Sequence, residues 1–130
     1  MQTERYPSMA DRLEARPSTA LAGSTVADGI AVTEPGEITS RILDAHEVEI
    51  LVVSESAIEE SIAMLLEIEK TVVEGAGAAA LAACMEYPDV FVGQKVGLVL
   101  CGGNIDPRTL AVVTLRGLAN QGRLNRIRVE

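Results

Sequence analysis

The chain has almost no aromatic residues. There is no Trp, two Tyr and one Phe, so aromatics make up 2% of 130 residues. The core must therefore be built of Val, Ile, Leu and Ala, which suits helices packed closely on a parallel sheet. There are only two cysteines, Cys84 and Cys101, both in apolar surroundings. That is no disulfide framework, and it reads as reduced thiols in a cytoplasmic protein. The single His46 has no His or Cys partner at metal-ligand spacing, and is assigned no function. Positive charge is scarce, with a net charge of -8, which argues against a nucleic-acid surface. The late arginines Arg116, Arg123, Arg126 and Arg128 read as a solvated surface. No uncharged apolar run reaches the ~18 residues of a membrane span. Glu4 and Arg5 break the opening segment before any apolar core, so it does not read as a signal peptide.

At 48%, the apolar fraction is ample for one core, and the length bounds the chain to one domain at most. Met1–Glu4 reads as the end of a buried strand, Ser8–Arg16 as a short helix and Pro17–Gly23 as loop. Pro35 opens a helix at its favoured first position, with Ile38 and Ile42 on one face. Val48–Val53 is the clearest strand. Ser56-Ala57-Ile58-Glu59 matches a capping box and starts a helix to about Lys70. Gly77–Met85 is rich in Ala and free of β-branching, as in a fully buried helix. Val96–Leu100 reads as the second clear strand, Arg108–Asn120 as a helix, and Asn125–Val129 as a last strand. This alternation predicts an α/β fold, a layered, largely parallel sheet with flanking helices.

The most informative stretch is Leu98-Val99-Leu100-Cys101-Gly102-Gly103-Asn104-Ile105-Asp106-Pro107. An apolar run stops at a cysteine, two glycines turn the chain, and Asp106 and Pro107 suit the N-cap and first position of a helix. A strand, a glycine turn and a helix N-terminus in series form a place to hold a small molecule at a sheet edge. The same pattern also serves as a plain strand-to-helix turn.

The chain resembles the C-terminal part of the catalytic region of threonine ammonia-lyases (threonine dehydratases). Four blocks in order carry the resemblance: Gln2–Met9; Ala27–Val32 with Glu34-Pro35-Gly36; Val73–Ala78; and Leu100–Asp106. The resemblance implies part of the large domain of a pyridoxal phosphate (PLP) enzyme of fold type II, with the tryptophan-synthase-beta-like fold. It implies deamination of L-threonine to 2-oxobutanoate and ammonia, in isoleucine biosynthesis or threonine catabolism. Serine dehydratases and serine racemases share these blocks and stand as the alternative.

That family needs a cofactor-bearing lysine in a Ser-Phe-Lys type motif and a glycine-rich phosphate loop. The only lysines here are Lys70 and Lys95, and neither lies in such a motif. Residues 1–130 are accordingly expected to be the C-terminal segment of a catalytic domain, without the lysine-bearing N-terminal part and without a regulatory domain of the ACT type. The isolated chain is then expected to be inactive, and it could serve as a non-catalytic association or folding module. The implied partners are an amino-acid substrate, the N-terminal part of the same enzyme and further copies in a homo-oligomer.

The resemblance also assigns residues. Cys101 would face the pyridine nitrogen, and its alternative reading is a buried small hydrophobe. Gly102, Gly103 and Asn104 would line the same pocket, although Asn104 could equally stabilise the turn. Glu74 would lie near the cofactor ring or, alternatively, act as a helix N-terminal acid. Gly29 would close over the cofactor through its backbone. A monovalent cation would sit on the Glu4 carboxylate and the carbonyls of Ser8, Ile30 and Val32. Oxygen ligands of this kind suit hard cations.

Overall fold

The computed structural model describes residues 1–21, 23–125 and 127–128. Two very short strands, β1 (Gln2–Thr3) and β2 (Val52–Val53), pair in parallel with Gln2 opposite Val52 and Thr3 opposite Val53. Around them stand α1 (Ser8–Leu13), a 3₁₀ turn (Asp28–Ile30), α2 (Glu37–Ala45), α3 (Glu55–Glu67), α4 (Gly75–Glu86), α5 (Pro88–Phe91) and α6 (Pro107–Asn120).

The core is the α3–α4 seam, closed by α6. Ile58, Ile62 and Leu65 of α3 are buried against Ala78, Ala79, Ala82 and Ala83 of α4, with Val53, Val73 and Val113 completing the cluster. Alanine on one side lets the helices approach closely, and the branched side chains of the other fill the space. Tyr87, just past α4, donates its hydroxyl to the Val52 carbonyl at 2.6 Å and ties the helix pair to β2. At the opposite end of β1, Asp11 is buried and accepts from the Thr19 amide at 2.7 Å and the Thr19 hydroxyl at 2.8 Å, with Arg16 at 3.2 Å.

Several boundaries differ from the sequence expectation. The helix expected from Pro35 begins at Glu37 with Gly36 as N-cap, and the helix from Ser8 stops at Leu13. The Ser56 capping box is not used. Ser54 caps α3, its hydroxyl accepting from the Ala57 amide at 3.1 Å, because β2 ends at Val53 and Ser54 is the first residue past it. The helix ends at Glu67, short of Lys70, which takes a positive φ of 55°. The buried Ala-rich helix is present and starts two residues earlier, at Gly75.

Of the expected strands, one is shortened and two are not strand among the described residues. The Val48–Val53 strand contracts to Val52–Val53, the stretch that meets β1. Val96–Leu100 carries no strand, and Val99 is 79% exposed. An apolar run becomes a strand only when a neighbour completes its hydrogen bonds, and among the described residues none pairs with this run. In the last expected strand, Asn125, Ile127 and Arg128 are not in strand, while Arg126 and Val129 lie outside the described residues.

Candidate functional site

Three chain segments meet at the N-terminus of α4. The extended run before Cys101 delivers the glycine loop, the 3₁₀ turn delivers Gly29, and α4 itself delivers Glu74, its N-cap residue. The Glu74 amide donates to the Gly102 carbonyl at 2.6 Å, so the loop is pinned to the helix start by backbone.

Glycine makes this junction sterically feasible. Gly102 sits at φ +73°, and a Cβ there would fall 2.3 Å from the Glu74 carboxyl carbon. A Cβ on Gly29 would lie 3.1 Å from the Ala76 Cβ, a tight approach, and at ordinary contact distance, 3.4 Å, from the Glu74 Oε1. The Glu74 side chain thus passes between two backbones that carry no side chain of their own. It is half-buried and makes no cap hydrogen bond, so clearance, not bonding, sets its position. A second pair of close approaches fixes the helix end itself. Cβ atoms built on Gly75 and Gly77 would meet the Val26 and Cys101 carbonyl oxygens at 2.2 and 2.0 Å.

Cys101 is exposed in this chain, and its carbonyl oxygen faces Gly77. Asn104 and Glu74 line one cavity of about 190 Å³ together with Thr25, Asp28 and Asp106. Asp106 also caps α6, accepting from the Arg108 and Thr109 amides at 3.2 and 3.1 Å, with Pro107 at the first helical position as expected. A Cβ on Gly103 would meet only the Val72 carbonyl oxygen, at 3.6 Å, so this backbone is open to a ligand.

The cation ligands are brought together only in part. The Ser8 hydroxyl donates to the Val32 carbonyl, and the Val32 amide to the Ile30 carbonyl at 2.9 Å. The Glu4 carboxylate accepts from the Glu55 amide at 3.1 Å. Among the described residues no three acidic, His or Cys side chains gather at metal-binding distance. Both lysines are exposed, and the Lys70 ammonium donates to the Glu67 carbonyl. Neither stands in a buried pocket of the sort that makes a lysine nucleophilic.

Three residues that shape the site were missed from sequence. Gly75 and Gly77 read as ordinary small residues in an Ala-rich helix, and only the packed structure reveals which carbonyl each admits. Glu55 ties the segment leading to Gly29, and its partners lie too far off in sequence to suggest it.

Comparison with known proteins places the chain. The family model for pyridoxal-phosphate dependent enzymes matches residues 1–102. The L-threonine ammonia-lyase of Thermotoga maritima is 40% identical over 131 residues, covering 95% of this chain and 31% of that protein. The chain therefore spans about a third of the length of that curated relative. Among solved structures, the T.th. threonine deaminase superposes with a TM-score of 0.69 at 35% identity, covering 80% of this chain and 38% of that one. Maize serine racemase superposes with a TM-score of 0.71 at 26% identity, covering 93% and 38% respectively.

Proposed function

We propose, from the premise that this chain belongs to the family of pyridoxal-phosphate-dependent enzymes, that it forms the ring-facing, C-terminal segment of the catalytic domain of an L-threonine ammonia-lyase. Its fold is a partial large domain of fold type II. The observation that carries the reading is the meeting of the Cys101–Gly102 loop, Glu74 and Gly29 at one glycine-cleared junction, in a chain that aligns along 95% of its length with an L-threonine ammonia-lyase.

The residues present fit a flat, phosphorylated pyridine. Gly29, Gly102 and Gly103 offer backbone without Cβ, which a planar ring can approach closely. Cys101 presents a thiol, a weak donor and weak acceptor, where a ring nitrogen would need a neighbour. PLP, when bound, supplies an electron sink that labilises bonds at the α-carbon of an amino acid.

The chain's own groups then have distinct work. The Cys101 thiol would leave the ring nitrogen largely unprotonated, where a carboxylate would hold a proton on it. That weaker sink suits early expulsion of a β-hydroxyl, and so favours elimination. Asn104 has both donor and acceptor groups for the ring edge. Glu74 would place a carboxylate beside the ring, with Gly29 and Gly102 holding it in line. In this proposal the lysine and the phosphate loop come from polypeptide beyond these 130 residues, the substrate is L-threonine, and the products are 2-oxobutanoate and ammonia. The enzyme would be a cytoplasmic homo-oligomer, serving isoleucine biosynthesis or threonine catabolism.

The resemblance to maize serine racemase supports a second reading, in which the same wall serves racemisation or serine dehydration. The complete polypeptide that contains this chain, given PLP and L-threonine, should release 2-oxobutanoate and ammonia in equal amounts. Absence of the 2-oxo acid would sink the threonine assignment, and D-amino acid formed from an L-substrate would establish the second reading.

A further inference from the structure

We propose that Glu55 is a positioning residue which holds the Gly29 turn in place against Glu74, an inference that rests on the reading of Gly29 and Glu74 as cofactor-facing. Glu55 is the first residue of α3, immediately after β2 and its cap Ser54. One carboxylate there receives three donors from two other parts of the chain. The Thr3 hydroxyl, at the end of β1, donates to Oε1. The Thr25 hydroxyl donates to the same oxygen at 2.6 Å, and the Val26 amide donates to Oε2 at 2.9 Å.

The bonds continue from there to the turn. The Thr25 hydroxyl oxygen also accepts from the Ala27 amide at 3.1 Å, and the Ala27 carbonyl accepts from the Ile30 amide at 3.0 Å. The Val26 carbonyl oxygen rests against Gly75, one residue from Glu74, at a spot where a Cβ would stand 2.2 Å away. Glu55 therefore reaches both sides of the junction: through Thr25 and Ala27 to the turn that carries Gly29, and through Val26 to the helix end that carries Glu74. A carboxylate accepts from all three at once, whereas a glutamine keeps one acceptor oxygen and sets its N–H groups either against the Val26 amide or in place of the acceptor that the two hydroxyls use. The position at a helix N-terminus favours the negative charge as well.

A purely structural role would look different. The Glu86 carboxylate binds the same end of α3, accepting from the Ser54 amide at 3.0 Å and the Ser54 hydroxyl at 2.5 Å, and it has no bond to residues 25–30. Glu86→Gln thus serves as the control for weakening the start of α3 alone.

The test is amide hydrogen exchange, residue by residue, on the complete polypeptide that contains this chain and on its variants. In Glu55→Gln and Thr25→Val, the Val26, Ala27 and Ile30 amides should exchange about fivefold to tenfold faster, the loss expected for one hydrogen bond. Thr25→Ser keeps the hydroxyl and should restore wild-type protection. Glu86→Gln should leave these three amides unchanged. If Glu55→Gln does not fold, Glu55→Asp, which keeps the charge and shortens its reach, is read in its place at the Val26 amide, the one bonded directly to Glu55. Unchanged exchange of the Val26 amide in the Glu55 variant that folds, or the same pattern in Glu86→Gln, would overturn the proposal. Exchange needs no cofactor, so a failure here would count against Glu55 and not against the ammonia-lyase reading. Conversely, absence of 2-oxo acid from the complete polypeptide would leave the exchange result intact.

Discussion

Gly102→Ala should damage the chain for two separable reasons, and the structure says how to separate them. Gly102 lies at φ +73°, a region that costs an L-residue about 1–2 kcal/mol. The new Cβ would also stand 2.3 Å from the Glu74 Cδ and Oε1 and 2.4 Å from its Cγ. Those atoms cannot share that space, so the Glu74 side chain must leave its place between Gly102 and Gly29. That side chain is flexible, half-buried and unbonded, so swinging it aside costs about 0.5–1.5 kcal/mol. The single variant should therefore lose about 1.5–3.5 kcal/mol in all. Truncating the neighbour removes the collision and leaves the backbone term. In a Glu74→Ala background, Gly102→Ala should cost only about 1–2 kcal/mol. Urea denaturation of the four proteins of this cycle measures the coupling, which should be about 0.5–1.5 kcal/mol. Additivity within about 0.3 kcal/mol would refute the claim that Glu74 is held by clearance over Gly102.

Three further outcomes follow from the same geometry. Gly77→Ala drives a Cβ to 2.0 Å from the Cys101 carbonyl oxygen, which no side-chain rotation relieves, whereas Gly97→Ala meets open space; thermal melting should show a large loss for the first and a change within about 0.5 kcal/mol for the second. The Thr19 amide and hydroxyl, with Arg16 adding to them, hold the Asp11 carboxyl below the ordinary aspartate range, against the opposing effect of burial. A depressed value stabilises the folded chain above the unfolded pKa of about 3.9 and is lost as pH falls through the lower folded value, so Asp11→Asn should be less stable near neutrality and show a shallower loss on acidification below about pH 4. PLP added to the 130-residue chain alone should give no stoichiometric, borohydride-fixed adduct at Lys70 or Lys95 by mass spectrometry, since both are exposed on the surface.

How much of this was legible in the sequence varies with how local the cause is. The Asp106-Pro107 start of α6 and the alanine helix α4 depend on neighbours along the chain, and both appear where the residues put them. The capping-box pattern at Ser56 does not mark the start of α3, because where β2 ends decides, and β2 ends where β1 stops pairing with it. Val96–Leu100 has a strand's composition, but composition says nothing of partners. Glu74, Gly29 and the Cys101 loop were expected together, and the structure brings them together. Glu55 was not foreseen because its partners Thr3 and Thr25 lie 52 and 30 residues away. The expected cation ligands came as a set from the resemblance, and nothing in the sequence signals that the Glu4 carboxylate also accepts from the Glu55 amide.

A structure of the complete polypeptide with PLP bound would test the central claim most directly. The account predicts the ring lying over the Gly29 backbone beside Glu74, with its nitrogen facing the Cys101 sulfur. A ring bound elsewhere, or a nitrogen paired with a carboxylate while Cys101 faces solvent, would contradict it.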